Sequence, residues 1–320
     1  MKDEEREILQ RQGYKLVGDH SAVKTCHWLH QKLLYHRPCY KETFYGIACH
    51  RCLQMTPALQ YCTHTCVFCW RYQGSTEVQF SGTADEPPTI LDGCIAAQRS
   101  LLSGFKGDPR CDLALWEEAQ QPKHVAISLA GEPTLYPSLS ELIEECHNRG
   151  LTTFLVTNGT QPDVLAHLDP LPTQLYVTVA APNEEVYKKT CRPLIKGGWE
   201  RLLTTLHLLP SLDTRKVIRH TLVEGLNMAH VEQYAQLDHQ AEPDFVEPKG
   251  YVFVGRSRLR LSIQNMPSHQ RVREFAVRLG DELGYPLTDE RTDSRVVLLA
   301  ADPQTRFLKL DEVERRKGSP

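Results

Sequence analysis

The sequence predicts an α/β fold built on a parallel sheet, either an open doubly wound sheet or a full or partial barrel. Three observations carry this. Apolar runs of strand length recur at 125–129, 153–157, 175–180 and 217–223, as strands covered on both faces require. Amphipathic stretches of helical period lie among them at 138–149, 184–189, 199–209 and 271–283. Asn158-Gly159 and Gly197-Gly198 supply turn signals between the two kinds of segment. Strand–helix alternation over roughly 200 residues implies parallel strands with helical crossovers, and such sheets place function at the C-terminal ends of the strands.

In chain order, residues 1–55 are mixed and rich in His, Tyr and Cys, with weak periodicity, and read as an N-terminal extension. Residues 56–285 form the alternating core, and 286–320 a C-terminal extension. Segments 85–88 and 103–121 read as loops around a helix. The run 252–254 reads as a short strand, and the charged tail 313–320 is expected to fray.

The chain has 320 residues, 41% hydrophobic and 24% charged, enough apolar material for a sizeable core. A net charge of −3 excludes a protein that coats nucleic acid non-specifically, while leaving room for a local basic patch. No apolar run approaches the roughly 18 residues that span a bilayer, and residues 1–12 lack an apolar signal core, so a cytoplasmic protein without a membrane partner is expected. In that reducing compartment the 11 cysteines read as metal ligands, not disulfides, all the more because seven fall between Cys26 and Cys69.

The chemistry concentrates in Tyr61-Cys62-Thr63-His64-Thr65-Cys66-Val67-Phe68-Cys69-Trp70. Three thiolates in C-x3-C-x2-C spacing can hold three irons of a 4Fe–4S cubane and leave the fourth iron open to another ligand. The competing reading, a zinc site, calls for a second paired knuckle that this loop lacks. The loop, with Phe68 before its last cysteine, closely resembles that of the radical S-adenosylmethionine (SAM) superfamily. The resemblance implies a partial (β/α)6 TIM-like barrel with an N-terminal iron–sulfur extension, and SAM bound at the open iron. It also places Phe68 by the adenine. Leu129-Ala130-Gly131-Glu132-Pro133 resembles the family's Gly-Gly-Glu-Pro motif, with Ala130 for the first glycine, so Gly131 and Glu132 are expected at the SAM amino group. Thr157 and Asn158, ending the next strand, are expected near the ribose.

Cys26, Cys39 and Cys52 suggest a second 4Fe–4S cluster, with Cys49 competing for the third position. Here the chain resembles one family more narrowly. Cys39-Tyr40-Lys41-Glu42-Thr43-Phe44-Tyr45-Gly46, His50-Arg51-Cys52-Leu53-Gln54-Met55 and Cys69-Trp70-Arg71 resemble the tRNA 4-demethylwyosine synthases, as do Cys191-Arg192-Pro193, Phe245-Val246-Glu247-Pro248-Lys249-Gly250 and Asn265-Met266-Pro267-Ser268-His269. That resemblance prefers Cys52 to Cys49. It implies a lyase that joins pyruvate to the N1-methylguanosine next to the anticodon of tRNA-Phe: a deoxyadenosyl radical abstracts hydrogen from the methyl group, and two carbons of pyruvate close a third ring. It places a pyruvate Schiff base on Lys41, whose amine must be neutral to react.

The same family leads one to expect a separate flavodoxin- or ferredoxin-like electron donor, since 320 residues leave no room for the flavodoxin-like domain of the longer relatives. A monomer is the default. Ala180, in Val179-Ala180-Ala181-Pro182, departs from the aspartate-containing stretch expected there. For RNA, Trp70 offers a stacking surface, and Arg256, Arg258 and Arg260 alternate so that on a strand all three share one face. Two other readings remain at this level: a radical SAM enzyme with another substrate, such as a glycyl-radical activase, and an iron–sulfur electron carrier.

Overall fold

A computed structural model describes residues 3–309; the tail expected to fray lies outside them. At the N-terminus α1 (Asp3–Arg11) leads into the hairpin of β1 (Lys15–Val17) and β2 (Ser21–Val23), followed by α2 (His27–Tyr35) and α3 (Tyr40–Tyr45). Strand β3 (Cys52–Thr56) pairs antiparallel with β2 on one side and parallel with β4 on the other. It therefore crosses the boundary expected at residue 55 and joins the extension to the core.

Helices α4 (Pro87–Leu102) and α5 (Leu113–Ala119) connect β3 to β4 (His124–Ile127). Then follow α6 (Leu139–Asn148), β5 (Thr152–Thr157), α7 (Pro162–Ala166), β6 (Gln174–Thr178), α8 (Glu184–Cys191), α9 (Gly198–Leu208), β7 (Arg215–Leu222), α10 (Val231–Ala241), β8 (Phe245–Gly250) and α11 (His269–Leu283). Strands β3 to β8 run parallel in sequence order, and β9 (Leu287–Arg291) and β10 (Val296–Ala300) add antiparallel strands beyond β8. Six parallel strands with helices on their outer face make the expected partial barrel.

The two-residue period of each strand sorts its side chains between two cores. Outward residues such as Leu53, Val125, Leu155, Val177, Ile218 and Val246 pack under the helices. Inward residues Phe154, Tyr176, Val217 and Phe245 form a separate cluster with Tyr40, Phe44 and Tyr45 of α3. Helix α3 thus plugs the barrel. Each aliphatic or phenylalanine side chain fully buried there contributes about 1.5–3 kcal/mol. The plug also fixes the positions of Cys39 and Lys41, which flank Tyr40.

Several expectations need correction. The stretch 103–121 is not simply loop: it holds a 3-10 turn at Ser103–Gly107 and α5, capped by the Asp112 carboxylate accepting from the Ala114 and Leu115 amides at 2.9 and 3.0 Å. The run 252–254 is not a strand. The strand is Phe245–Gly250 upstream, and after 251–254 the chain coils into a 3-10 turn at Gly255–Leu259.

Candidate active site

The three-cysteine loop leaves the C-terminal end of β3 and is pinned from three directions. Its Thr65 and Val67 amides donate to the Arg192 and Thr190 carbonyls at 3.1 and 2.9 Å, and the Cys62 amide donates to the Glu77 carbonyl at 2.9 Å. Arg260 donates from Nε to the Val67 carbonyl at 3.2 Å and from its terminal nitrogen to the Cys69 carbonyl. Gly131 packs beneath the loop at φ +73°, where a Cβ would lie 1.7 Å from the Ala58 carbonyl oxygen, so only glycine fits.

Cys62, Cys66 and Cys69 line one cavity, and the ligand atoms of Cys66, His64 and Cys191 lie within 4.8 Å of one another. Burial pushes the Cys62 thiol up to about 12 and raises that of Cys69. The Cys66 thiol is raised first by a bond with Cys191, then by burial. The buried Arg71 guanidinium lowers all three and bonds to the Tyr72 and His64 carbonyls, both at 3.2 Å, and to Thr76 Oγ1 at 3.0 Å. Three thiols around one cation, Cys62 buried and Cys66 and Cys69 half-buried, suit an anionic iron–sulfur group that needs thiolates and a counter-charge.

Glu132 lies beside them, almost wholly buried. Its carboxylate accepts from Thr134 N and Oγ1 at 3.2 and 2.6 Å, from Thr157 Oγ1 at 2.6 Å and from Asn158 N at 2.7 Å; burial still outweighs these bonds and raises its pKa. Asn158 Nδ2 donates to Thr63 Oγ1 at 2.8 Å and points to Cys62 Sγ at 3.9 Å. The Gly131-Glu132 and Thr157-Asn158 motifs, read separately from the sequence, are therefore one hydrogen-bonded unit against the loop. Phe68 shares a cavity of about 360 Å³ with them and with the three thiols.

The same cavity reaches Arg219 and Lys249, at the inner end of a second group of thiols. Cys26 and Cys39 are the N-cap residues of α2 and α3, where backbone amides and the helix dipole favour thiolate, and Cys52 opens β3. Burial raises the Cys26 thiol and pushes Cys39 and Cys52 up to about 12 and about 11; Cys39 and Cys52 each feel Cys26, and Lys41 lowers all three. Cys49 turns elsewhere: its Sγ accepts from the Cys39 amide at 3.3 Å, and its own amide donates to Glu42 Oε2 at 3.3 Å.

Lys41 Nζ is half-buried inside the barrel, 4.8 Å from the Phe154 ring centroid and 4.5 Å from that of Tyr176. Burial and then Arg219 lower its pKa, outweighing the opposing charges of Cys52, Glu247 and Cys39. Arg219 donates to Glu247 Oε2 at 2.8 and 3.1 Å and to the Tyr40 hydroxyl at 2.7 Å, while the Tyr45 hydroxyl donates to Glu247 Oε1 at 2.6 Å. Lys249 donates to the Ser294 carbonyl at 3.0 Å and lies over the Tyr40 ring; burial and Arg219 push it down to about 8. Glu247 and Lys249 were not among the site residues expected from the sequence. Their signal was charge at alternate positions, 247 and 249, of a short segment flanked by core residues, which points two charges into the same interior.

The arginine set divides. On a 3-10 turn the three side chains do not share a strand face: Arg260 clamps the loop, Arg256 lies over the Tyr72 ring at 5.5 Å, and exposed Arg258 lies over Phe253 at 5.2 Å. The alternation argument is thereby overturned, and Arg260 is engaged inside the protein. Trp70 stacks on Tyr14 with ring centroids 5.8 Å apart, carries Lys24 Nζ at 4.8 Å and still lines the cavity. Ala180 is buried, and its carbonyl accepts from Asn227 Nδ2 at 2.8 Å. No helix among the described residues is long and apolar enough to cross a membrane.

Residues 57–237 match the radical SAM superfamily, and 240–301 match a family described as wyosine base formation. Over 311 residues the chain is 52% identical to the S-adenosyl-L-methionine-dependent tRNA 4-demethylwyosine synthase of Pyrococcus abyssi, covering 94% of this chain and 90% of that one. It is 40% identical to the Oryza sativa subsp. japonica protein of the same description, over 92% of this chain and 46% of that one. A solved structure of TYW1 with a lysine–pyruvate adduct bound superposes with a TM-score of 0.87 at 37% identity, covering 97% of this chain and 99% of that one. Archaeal TYW1 gives 0.78 at 35% identity, over 97% and 99%.

Proposed function

The chain belongs to the S-adenosyl-L-methionine-dependent tRNA 4-demethylwyosine synthase family, and on that premise we propose that it joins pyruvate to N1-methylguanosine in tRNA-Phe to form 4-demethylwyosine. The observation that carries this is one cavity lined by the Cys62, Cys66 and Cys69 thiols and by Arg219, whose charge acts on Lys41. Such a cavity can bring a SAM-derived reagent and a keto acid to one substrate base.

Cys62, Cys66 and Cys69 hold the 4Fe–4S cluster at which SAM binds. Cys26, Cys39 and Cys52 would hold a second, the family resemblance preferring Cys52 to Cys49, whose Sγ accepts from the Cys39 amide. When bound, a cluster with an open iron supplies one-electron reduction of SAM and thus a carbon radical. Arg71 works against burial at these thiols and supplies a counter-charge for the thiolates a cluster would need. Glu132, fixed by Thr134, Thr157 and Asn158, presents a buried carboxylate to the SAM amino group.

Lys41 binds pyruvate covalently. Its neutral amine adds to the keto carbon, the carbinolamine loses water, and a C=N bond replaces C=O. Burial supplies the neutral amine. Trp70, which lines the cavity, and Arg256, whose amide donates to the Trp70 carbonyl at 2.9 Å, meet the splayed nucleotide. A separate flavodoxin- or ferredoxin-like protein delivers electrons, and the enzyme acts as a cytoplasmic monomer.

The test is an anaerobic reaction with SAM, a reductant, N1-methylated tRNA and 13C-labelled pyruvate. Nucleoside digests should contain a tricyclic base carrying two labelled carbons. SAM cleavage without any label in the tRNA would favour a different radical SAM substrate. With Lys41→Ala, SAM cleavage is expected to persist, while borohydride traps no pyruvate adduct and no tricyclic base forms.

A further inference from the structure

Cys191 serves neither thiol triad, yet it faces the three-cysteine loop. The end of α8 and the residues after it pair antiparallel with the loop. The Thr65 and Val67 amides donate to the Arg192 and Thr190 carbonyls at 3.1 and 2.9 Å, and the Leu194 amide donates to the Thr63 carbonyl at 2.8 Å. That register sets His64 opposite Pro193 and Cys66 opposite Cys191. His64 and Cys66, two residues apart, turn to the same side: a ring nitrogen of His64 and the Cys66 and Cys191 sulfurs all lie within 4.8 Å of one another. Among the described residues no other three His, Cys, Asp or Glu side chains gather their donor atoms so closely.

Spacing separates this group from a cubane site. A cubane takes each thiolate on a different iron, whereas a single ion draws its ligands to one centre. A tetrahedral zinc, with Zn–S about 2.3 Å and Zn–N about 2.0 Å, keeps its ligand atoms roughly 3.5–3.8 Å apart, within reach of the present spacing by side-chain rotation. Two thiols and an imidazole are the donors that thiophilic divalent ions take, and two thiolates balance the ion's charge. His64 is buried, and burial, then Arg71, lowers its pKa to about 3, so the ring is the neutral imidazole that ligates metals. The Tyr187 hydroxyl, 2.5 Å from His64 Nε2, and the Tyr187 ring, 5.3 Å away edge-on, hold the imidazole plane. All three donors line the cavity, so water can fill a fourth position.

We propose that the cluster-free chain binds one thiophilic divalent cation, such as Zn2+, at His64, Cys66 and Cys191, and that this ion and the 4Fe–4S cluster exclude each other because both need Cys66. The ion site stands on its own geometry. The exclusion rests on the reading that Cys66 is a cluster ligand. Zinc-bound and cluster-bound chains are then alternative states, and the first cannot cleave SAM until the ion leaves.

The experiment titrates the full chain, before cluster reconstitution, with Co2+, whose thiolate charge-transfer and tetrahedral ligand-field bands report coordination, and then displaces it with Zn2+. Cys26, Cys39 and Cys52 can take an ion of their own, so the readout is the number of equivalents lost relative to wild type. Cys191→Ser and His64→Ala are each expected to lose one equivalent, and Cys62→Ala and Cys69→Ala none. In the wild type, Zn2+ should protect Cys66 and Cys191 from alkylation, read by peptide mass spectrometry, and leave Cys62 and Cys69 as reactive as before. Zn2+ added before reconstitution should lower the iron taken up by wild type by about four atoms more than it lowers that of Cys191→Ser.

Retention of the equivalent in Cys191→Ser or His64→Ala, or its loss in Cys62→Ala or Cys69→Ala, would place the ion elsewhere and overturn the proposal. So would alkylation of wild-type Cys191 unchanged by Zn2+, an outcome that depends on no variant's folding. An equal effect of Zn2+ on iron uptake by wild type and Cys191→Ser would overturn the exclusion. Full iron uptake and SAM cleavage by Cys66→Ala would sink the cluster reading, and the exclusion with it, while leaving the ion site standing.

Discussion

Replacing Cys62, Cys66 and Cys69 together with alanine lowers the iron of the reconstituted protein from about eight to about four atoms per chain and abolishes SAM cleavage. The count follows from the proposal that each of the two thiol triads holds a four-iron cubane. The three thiols form one group around Arg71, and the Cys26, Cys39 and Cys52 thiols form another around Lys41, so losing one set leaves the other intact. The reciprocal variant, with alanine at Cys26, Cys39 and Cys52, should also retain about four irons but keep uncoupled SAM cleavage and lose the tricyclic product. Iron and sulfide analysis with a SAM-cleavage assay checks both. A wild type with about four irons, falling to none in the first variant, would remove the second cluster.

Glu247→Ala is the point change with the largest expected effect on stability. Both partners of the Glu247–Arg219 pair are buried, with side-chain exposures of 0% and 15%. Removing the carboxylate leaves a guanidinium in the barrel interior without its counter-charge, a loss of about 3–5 kcal/mol in comparable cases. It also strands the Tyr45 hydroxyl, which donates to Glu247 Oε1. Denaturant titration of the wild type and variant measures the loss. The pH dependence follows from the same pair. Burial would raise the Glu247 carboxyl, but Arg219 and the Tyr45 hydroxyl outweigh it and hold it below the ordinary carboxylate value. The stability that Glu247 contributes is therefore fully present above the unfolded value near pH ~4.3 and is lost as pH falls through its depressed folded value. Glu247→Gln should flatten the stability curve in that acid window and change its shape little above it. A variant as stable as wild type at pH 7 and pH 4 would contradict this account.

The sequence exposed the parallel sheet because its strands lie between two apolar layers, so 153–157 and 217–223 announce themselves by hydrophobicity alone. Strand β8 hid for the opposite reason. Phe245-Val246-Glu247-Pro248-Lys249-Gly250 spends its inward positions on a charged network and carries a proline, so it looks like a loop. The arginines at 256, 258 and 260 misled because alternation signifies a shared face only on a strand, and Gly255, at φ +57° and packed against the Trp70 carbonyl, starts a turn instead. The motifs at 131–132 and 157–158 were visible singly. That Glu132 is the acceptor for Thr157 and Asn158 depends on adjacent strand ends meeting in register, which spacing along the chain does not encode.

Strand β3 carries a constraint on how the family's chain length can vary. Its five residues begin at Cys52, facing the barrel interior, and the three-cysteine loop follows their far end. A strand advances about 3.3 Å per residue and reverses its face at every step. One residue inserted between Leu53 and Met55 would turn Cys52 toward the helices if the loop kept its place, or tilt the loop off the cavity if Cys52 kept its own. The two proposed metal sites are thus tied to a common ruler that tolerates length changes only in pairs, which leaves insertions to the loops at the periphery.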